Sequence, residues 1–297
     1  MSKSKKSIFK GTATALITPF KNGEVDFAAL SGLIDRQIES GIDALVICGT
    51  TGESATLSDK EHRTVLEFAQ KRADGRVPMI AGTGSNDTAH AVEMSRFASD
   101  LGYDGLLVVT PYYNKATEKG LIASFTAIAD SVDKPIILYN VPSRTGCNIT
   151  LPVYRELAKH ENIVAVKEAS GNISQIAEIF AECGDRFDVY SGNDDQTLPM
   201  LALGGSGVIS VVSNIIPKEM KSLCEKWFDG DILECRRLHE KYLNLMKMMF
   251  CEVNPIPVKT ACALLGLCSD ELRLPLCELG EDNRKKLEKA LIEYKLI

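Results

Sequence analysis

The chain has 297 residues, of which 45% are hydrophobic and 25% charged, and its formal net charge is −6 at pH 7. This length allows one large domain or two of ordinary size, with a core that needs no disulfide or metal to stabilise it. The negative charge disfavours nucleic acid or an anionic membrane surface as a partner, and no stretch reaches the roughly 18 apolar residues of a membrane span.

The chain begins with a basic segment, Met1-Ser-Lys-Ser-Lys-Lys-Ser7. No apolar stretch typical of a secretion signal follows it. We interpret these residues as a short flexible arm and expect a cytoplasmic protein.

From Thr12 to about Trp227 one pattern recurs: a short apolar run, a polar loop and a segment with helical spacing. The strand-like runs are Thr12 to Thr18, Ala44 to Cys48, Pro78 to Gly82, Gly105 to Thr110, Pro135 to Asn140, Ile163 to Lys167, Asp188 to Ser191 and Gly207 to Val212. The clearest amphipathic segments are Phe27 to Glu39, Ser58 to Ala73, Ala89 to Leu101 and Glu118 to Ser131. Alternating strands and helices predict a parallel sheet with right-handed crossovers.

Eight such units favour a closed α/β architecture, the (β/α)8 TIM barrel. An open doubly wound sheet is the alternative, although its usual dinucleotide fingerprint is missing. Three further helices are predicted after the barrel, over residues 231–249, 255–265 and 281–294. We therefore divide the chain into a catalytic barrel, residues 1–229, and a helical extension packed on it, residues 230–297.

Polar side chains cluster where the predicted strands end, which is where barrel enzymes place their chemistry. In chain order these groups are Thr18-Pro-Phe20, Gly49-Thr-Thr-Gly-Glu53, Gly82-Thr-Gly84, Thr110-Pro-Tyr-Tyr-Asn114, Tyr139-Asn-Val-Pro-Ser-Arg-Thr-Gly146, Lys167-Glu168 and Ser191-Gly-Asn-Asp194. Since the strands are parallel, their carboxyl ends meet at one rim. The sequence therefore predicts one site at that rim.

Lys167 and Tyr139 are the most informative of these residues, because each stands in or at the end of an apolar run. An ammonium group against apolar walls is poorly solvated, so its neutral amine form is favoured. A neutral amine attacks carbonyl carbons, and a neighbouring phenol can relay protons. Taken singly, Lys167 is equally typical of a lysine whose stem lines a strand, and Tyr139 is more typical of a core tyrosine, but the pair predicts Schiff-base chemistry.

Two loops offer groups that bind carboxylates. Gly49-Thr-Thr-Gly-Glu53 places backbone N–H groups and two hydroxyls beside a helix start, a suitable cradle for a small carboxylate. Arg144 can hold a second carboxylate with two parallel hydrogen bonds. A plain turn and a surface arginine are the respective alternatives. Tyr112 and Tyr113 form an aromatic pair that suits a subunit interface.

Cysteine and histidine positions disfavour a metal centre. The nine cysteines include no pair at the two-residue spacing of zinc sites, and the four histidines are far apart in sequence. We expect reduced, mostly buried thiols. The chain also lacks a P-loop, a Gly-x-Gly-x-x-Gly turn after a strand, a His-Glu-x-x-His helix and a nucleophile-elbow serine. A lysine-dependent lyase or aldolase without a cofactor is the simplest enzyme that remains.

At these residues the chain resembles the dihydrodipicolinate synthases, the lysine-pathway branch of the class I pyruvate-dependent aldolase superfamily that also contains N-acetylneuraminate lyase. The resemblance runs from Gly11-Thr-Ala-Thr-Ala-Leu-Ile-Thr-Pro-Phe20 to Asn254-Pro-Ile-Pro-Val-Lys259 and Leu272-Arg-Leu-Pro275. Its most specific pieces are Gly49-Thr-Thr-Gly-Glu53, Tyr139-Asn-Val-Pro-Ser-Arg-Thr-Gly146 and Val166-Lys-Glu-Ala-Ser-Gly171.

The resemblance implies that Lys167 forms a Schiff base with pyruvate and that the derived enamine attacks the aldehyde of L-aspartate 4-semialdehyde. The product would be 4-hydroxy-tetrahydrodipicolinate, in the diaminopimelate route of lysine biosynthesis. The implied proton relay consists of Tyr139, Thr50 and Tyr113, with Tyr113 reaching into the site of a neighbouring subunit. Members of the family are usually homotetramers, built as a pair of tight dimers.

Three further residues match the substrate contacts of the family. The resemblance implies that Thr51 holds the pyruvate carboxylate together with N–H groups of its loop, and that Ile209 contacts pyruvate. It also implies that Arg144 binds the carboxylate of the aldehyde substrate. Sialic acid lyases usually carry an uncharged residue at the place of Arg144, because their aldehyde is a sugar.

A lysine-binding regulatory cleft is present at the dimer interface of sensitive relatives. The residues that match its lining are Ser54, Ala55, His62, Gly84, Asn86 and Tyr112. Two positions depart from the pattern: Asp59 replaces a frequent histidine, and His90 replaces the glutamate that binds the amine of the ligand. Loss of that carboxylate removes a charge-assisted hydrogen bond of roughly 1.5–3 kcal/mol, so we expect weak or absent inhibition.

Two other functions stay open from the sequence. One keeps the Schiff base but changes the aldehyde, as in the cleavage of N-acetylneuraminate or another sugar acid. The other is a non-catalytic barrel that binds a keto acid or amino acid, because a fold does not fix a function. The complete set of Lys167, Tyr139, Thr50 and Tyr113 disfavours the non-catalytic interpretation.

Overall fold

The structure is a computed structural model that describes residues 7–297. All but the last residue of the predicted N-terminal arm lie outside the described residues. The strands are β1 (Gly11–Ala15), β2 (Phe20–Lys21), β3 (Glu24–Val25), β4 (Ala44–Ile47), β5 (Met79–Gly82), β6 (Gly105–Val109), β7 (Ile136–Asn140), β8 (Ile163–Glu168), β9 (Asp188–Ser191) and β10 (Gly207–Ser210). The helices are α1 (Phe27–Glu39), α2 (Asp59–Ala73), α3 (Thr88–Asp100), α4 (Glu118–Asp130), α5 (Pro142–Thr145), α6 (Leu151–Leu157), α7 (Ile173–Cys183), α8 (Thr197–Ala202), α9 (Pro217–Phe228), α10 (Ile232–Met248), α11 (Ile256–Leu264) and α12 (Glu281–Glu293).

Eight strands form a closed parallel barrel in the order β1, β10, β9, β8, β7, β6, β5, β4. The predicted (β/α)8 barrel with additional C-terminal helices is therefore confirmed. Each predicted apolar run overlaps one barrel strand, because residues buried on both faces of a parallel sheet are almost continuously apolar. The last strand is shorter than predicted: β10 ends at Ser210, whose hydroxyl accepts a hydrogen bond from the Ser213 N–H at 3.0 Å.

A two-stranded antiparallel hairpin, β2 and β3, was not predicted. Its strands have two residues each, too few to show an alternating pattern. The turn between them is Asn22-Gly23, and both residues have positive φ, 56° and 82°. Asn-Gly is the sequence most typical of such a tight turn, so this signal was present in the chain.

The described residues divide into two compact units. The first unit comprises residues 7–11 and Pro78–Ile209, and the second comprises Thr12–Val77 and Ser210–Ile297. In the first unit the parallel register of β7 and β8 pairs Tyr139 with Lys167 and Asn140 with Glu168. In the second unit β1 pairs with β4, and α9 packs against α10. The domain boundary at residue 229 stays a prediction.

The start of α2 has a capping box. The Ser58 hydroxyl accepts the Glu61 N–H at 3.3 Å, and the Glu61 carboxylate accepts the Ser58 N–H at 2.9 Å. Two N–H groups of the first turn are thereby satisfied by side chains. This cap fixes where the loop that follows β4 becomes helix.

All nine cysteines are free thiols, and six of them are buried. Burial raises the pKa of Cys235 and of Cys268 to about 11. The expectation of mostly buried thiols is confirmed, and their reduced state stays a prediction. Separately, within residues 7–297 no helix combines the length and the apolar character needed to cross a bilayer.

Candidate active site

Lys167 and Tyr139 lie side by side on neighbouring strands of the first unit. Lys167 is 4% exposed, and its Nζ lies 4.4 Å from the centroid of the Tyr139 ring. Within residues 7–297 the Lys167 ammonium forms no ion pair. The structure thus brings the predicted nucleophile and the predicted phenol together, at the carboxyl ends of their strands.

The stem of Lys167 packs against the backbone of Gly192, which follows β9. A methyl group at Gly192 would lie 3.1 Å from Lys167 Cε and 2.6 Å from the Ala169 side chain. The Gly192 N–H also donates to the Glu168 carbonyl at 2.8 Å. Only glycine therefore fits here without displacing the lysine stem. The sequence placed Gly192 at a strand end but gave it no role.

Glu168 faces away from Lys167, because consecutive residues of a strand point to opposite faces. Its carboxylate is fully buried and accepts hydrogen bonds from Asn140 Nδ2 at 3.0 Å, from the Tyr154 hydroxyl at 2.8 Å and from the Ser170 N–H at 2.7 Å. Burial and the neighbouring Glu168 charge raise the pKa of Tyr154. These neutral donors hold the Glu168 carboxylate on the face of β8 opposite to Lys167.

Tyr154 and Asn140 had no predicted part in this network. Asn140 follows Tyr139 in β7, and Glu168 follows Lys167 in β8, so the two polar pairs alternate across the strands. The sequence signal for this network is that a polar residue directly follows each predicted functional residue at the end of a strand. The sequence does not reveal Tyr154 as a partner of Glu168, because Tyr154 lies in α6, a helix that was not individually predicted.

Arg144 lies in the short helix α5, directly after β7, and it is exposed. The neighbouring Thr145 is buried and anchors this helix. Its hydroxyl accepts a hydrogen bond from the Thr110 hydroxyl and donates to the Cys147 carbonyl, both at 3.0 Å. These hydrogen bonds hold the backbone of α5 in place, so the Arg144 guanidinium group extends from a fixed turn.

The loop after β6 exposes two tyrosines. Tyr113 is 91% exposed and Tyr112 is 38% exposed, and Tyr113 has a positive φ of 75°. Asn114 Nδ2 donates to the Asn86 carbonyl at 2.8 Å, which connects this loop to the one after β5. Ile209 is fully buried in β10.

In the second unit, the Gly49–Glu53 loop is a tight turn in which Thr51 is buried and Thr50 half-buried. The Gly52 N–H donates to the Gly49 carbonyl at 3.0 Å, and the Glu53 N–H donates to the Thr50 carbonyl at 3.1 Å. Two of the N–H groups expected to cradle a carboxylate are therefore used inside the turn. The amides of Thr50 and Thr51, with their hydroxyls, are the remaining candidates.

Residues near the C-terminus contact this loop within the same unit. Asn254 Nδ2 donates to Thr51 Oγ1 at 3.0 Å, and Lys259 Nζ lies 2.5 Å from Glu53 Oε1. Burial lowers the pKa of Lys259, although the Glu53 carboxylate opposes the shift. The family resemblance includes the Asn254–Lys259 segment and implies no role for it. The sequence signal for these contacts is that two polar residues, Asn254 and Lys259, flank an apolar stretch.

The residues that match the regulatory cleft are placed in both units. Ser54 and Ala55 form part of a 3-10 turn at Ser54–Thr56, where Ser54 is half-buried and Ala55 exposed. His62 lies in α2 and is 9% exposed. Asn86 and Tyr112 lie on the two connected loops of the first unit. Their predicted role in lysine binding stays a prediction.

Comparison with known proteins gives one consistent result. Residues 8–294 match the sequence model of the dihydrodipicolinate synthetase family. A 4-hydroxy-tetrahydrodipicolinate synthase from Trichlorobacter lovleyi is 53% identical over 290 residues, which cover 98% of this chain and 100% of that protein. The crystal structure of dihydrodipicolinate synthase from Aquifex aeolicus is similar at a TM-score of 0.95, with 50% identity over 97% of this chain and 99% of that one. The chloride-inhibited dihydrodipicolinate synthase from Acinetobacter baumannii, solved with pyruvate, has a TM-score of 0.95 and 42% identity over 97% of this chain and 99% of that one.

Proposed function

The chain belongs to the dihydrodipicolinate synthetase family, and from that premise we propose that its chemistry proceeds through an imine on Lys167. It is a lyase, and the activity named for its relatives is that of a 4-hydroxy-tetrahydrodipicolinate synthase. Its substrates are accordingly pyruvate and L-aspartate 4-semialdehyde, and its place is in lysine biosynthesis through diaminopimelate.

The observation that carries the proposed mechanism is the buried Lys167 amine beside the Tyr139 ring. The nitrogen lone pair attacks C2 of pyruvate, and the carbonyl oxygen leaves as water, which gives the imine. Loss of a proton from the methyl group then gives the enamine, whose carbon attacks the aldehyde carbon of the second substrate. Ring closure by the substrate amine releases Lys167. The imine itself accepts the electron pair, so this route calls for no cofactor.

The remaining roles follow from the family resemblance. Tyr139 relays protons to and from the substrate oxygen, which suits a phenol next to the reacting nitrogen. Thr50 and Tyr113 extend this relay, and the 91% exposure of Tyr113 suits a side chain that serves a neighbouring subunit. Thr51 and Ile209 contact pyruvate, and Arg144 binds the carboxylate of the semialdehyde.

Reduction with borohydride in the presence of pyruvate, followed by peptide mass mapping, tests the mechanism. We expect a stable adduct on Lys167 and none in a Lys167→Ala variant, which should also lose turnover. Lys221→Ala is the matched control, because Lys221 is ion-paired with Asp43 outside this site. Undiminished turnover by Lys167→Ala, or an adduct on another lysine, would contradict the proposal.

We also propose a cytoplasmic homotetramer built from two tight dimers. The exposed Tyr112 and Tyr113 rings supply apolar area for the tight interface. Sedimentation equilibrium measures the assembly, and Tyr113→Ala should shift it toward smaller species. A wild-type monomer with full activity would contradict both the assembly and the shared role of Tyr113.

Feedback by lysine is proposed to be weak. His90 stands where the family carries a carboxylate, so the ligand amine lacks a charge-assisted partner worth roughly 1.5–3 kcal/mol. Half-maximal inhibition should then need lysine at least about tenfold above the level expected with a glutamate there. A His90→Glu variant should gain sensitivity. Strong inhibition of the wild-type protein at sub-millimolar lysine would contradict this proposal.

A further inference from the structure

A buried ion pair connects α11 to the loop that follows β4. The side chains of Lys259 and Glu53 are 0% and 1% exposed, and their nitrogen and oxygen lie 2.5 Å apart. The ring of Phe20 covers the ammonium group, with its centroid 3.9 Å from Lys259 Nζ. The Arg273 N–H donates to the other Glu53 oxygen at 3.4 Å. Both charged groups are therefore enclosed and satisfied within the second unit.

Stability alone is a weak reason for such a pair. The desolvation of two buried charges offsets most of their attraction, and a well-packed apolar pair is often at least as stable. Glu53 also has a left-handed backbone, with φ of 52°, which a residue with a side chain adopts at an energetic penalty. A side chain tied at both oxygens holds this conformation in place. The arrangement fixes the shape of the turn that carries Thr50 and Thr51.

A second contact fixes the direction of one hydrogen bond. Asn254 Nδ2 donates to Thr51 Oγ1 at 3.0 Å, and an amide nitrogen is a donor only. The Thr51 oxygen is the acceptor, so its own proton points elsewhere and the hydroxyl is a donor toward a ligand. A carboxylate ligand accepts hydrogen bonds, so this polarity suits it.

We propose that Asn254 and Lys259 are positioning residues for the keto-acid carboxylate: Lys259 fixes the turn through Glu53, and Asn254 directs the Thr51 hydroxyl proton toward the ligand. The inference rests on the proposed function, in which Thr51 binds the carboxylate of pyruvate. It gives the C-terminal segment a part in substrate binding, although that segment lies outside the barrel strands.

A double-mutant cycle tests the hydrogen-bond direction. Asn254→Ala and Thr51→Val should each raise KM for pyruvate about tenfold, with a smaller change in kcat. The double variant should have the KM of Thr51→Val alone, because Asn254 acts through that hydroxyl. Additive effects of the two changes, or an unchanged KM in Asn254→Ala, would overturn this part.

Charge-neutral replacement tests the ion pair. Lys259→Met should raise KM for pyruvate about tenfold and lower the thermal midpoint, since Glu53 is left buried without its partner. In the double variant that combines Lys259→Met with Glu53→Gln, the thermal midpoint should return most of the way to the wild-type value, because no unpaired charge is left buried. KM for pyruvate should stay high, because the ion pair that holds the turn is still absent. Lys221→Met, which breaks the partly exposed pair with Asp43 in the same unit, is the control and should leave KM unchanged.

Borohydride labelling and KM together distinguish a failure of this inference from a failure of the proposed function. If borohydride and pyruvate do not label Lys167 of the wild-type protein, the proposed function fails. If labelling is normal but the Asn254 and Lys259 variants keep the wild-type KM, only the inference fails. A KM that follows the thermal midpoint in every variant, Lys221→Met included, would also overturn the inference, because a purely structural role predicts that correlation. If Lys259→Met does not fold, the Asn254 cycle decides.

Discussion

Lys167 and Glu168 show how two adjacent residues acquire different chemistry. The backbone of β8 separates them, so the carboxylate contacts α6 and β7 while the amine lies over the Tyr139 ring. Glu168 is satisfied by neutral donors and does not neutralise Lys167 as a direct ion pair. This separation leaves the amine accessible to a carbonyl substrate. The apolar run predicted the position of Lys167, but the role of Glu168 needed the register of the strands.

A methyl group at Gly192 should impair catalysis as well as local packing. In Gly192→Ala the new carbon would lie 2.6 Å from the Ala169 side chain and 3.1 Å from Lys167 Cε, so both Ala169 and the lysine stem must shift. A displacement of about 1 Å at a reacting group can lower the rate about 100-fold, and because the shift of the lysine stem is smaller here we expect kcat to fall about tenfold.

Steady-state kinetics and the rate of borohydride trapping measure this effect. Gly32→Ala is the control, since Gly32 lies in α1 with open space around it, and the change should stabilise the helix by up to about 1 kcal/mol. Wild-type kcat in Gly192→Ala would show that the close contact has no part in placing the lysine.

Removal of the Arg144 charge should affect one substrate only. Arg144→Leu should raise KM for L-aspartate 4-semialdehyde about tenfold or more, because a paired guanidinium–carboxylate contact is lost. Trapping of pyruvate on Lys167 should stay at the wild-type rate. Arg155→Leu is the matched control, because Arg155 pairs with Glu182 at the surface of the same unit. Unchanged use of the semialdehyde would remove the assigned specificity.

At the scale of elements, the barrel strands were the most predictable part of the chain. Their residues are buried on both faces, so each run is short, apolar and bounded by polar residues. The β2–β3 hairpin was missed because it is too short to show periodicity. The contacts between Asn254–Lys259 and the Gly49–Glu53 loop were also unpredictable, since they join positions about 200 residues apart in the chain. Spacing in the sequence carries no information on such a contact.

The helix α6 stabilises the reactive strand pair through one phenol. Tyr154→Phe removes the donor of the 2.8 Å hydrogen bond to the buried Glu168 carboxylate. Since a buried charged acceptor then loses a partner, we expect the free energy of unfolding to fall by about 1–3 kcal/mol.

Denaturant unfolding measures the change, and Tyr294→Phe provides the comparison. The Tyr294 hydroxyl donates to the Lys241 carbonyl at the surface, so its loss should have little effect. Equal stability of the Tyr154→Phe and wild-type proteins would mean that Asn140 and Ser170 alone satisfy the carboxylate.

For the whole molecule, acid stability should depend on an ion pair between α2 and the C-terminal segment. Hydrogen bonds from the Arg273 guanidinium lower the pKa of Glu61 from 4.5 to about 2. The unfolded chain therefore binds this proton more readily than the folded protein does. The stabilisation is complete above about pH 4.5 and is lost as the pH falls toward 2.

A Glu61→Gln variant tests this dependence. It should be less stable than the wild type at pH 6 and should lose less stability than the wild type between pH 5 and pH 2, because glutamine keeps the cap but does not titrate. Urea midpoints at several pH values measure both changes. Glu67→Gln, whose carboxylate pairs with the exposed Lys71, is the control. Parallel pH profiles for the Glu61→Gln and wild-type proteins would contradict the prediction.

The alternation of Lys167 and Glu168 along β8 also restricts how the length of this chain can change. Deletion of a single residue inside the strand would turn every following side chain to the other face, exchanging a nucleophile for an anion. The helix side would then receive an ammonium group in a buried position whose Asn140, Tyr154 and Ser170 groups are arranged to hold an anion. Homologues of this protein can therefore vary in the lengths of their loops and termini, whereas an insertion or deletion of one residue between positions 163 and 167 should abolish the imine.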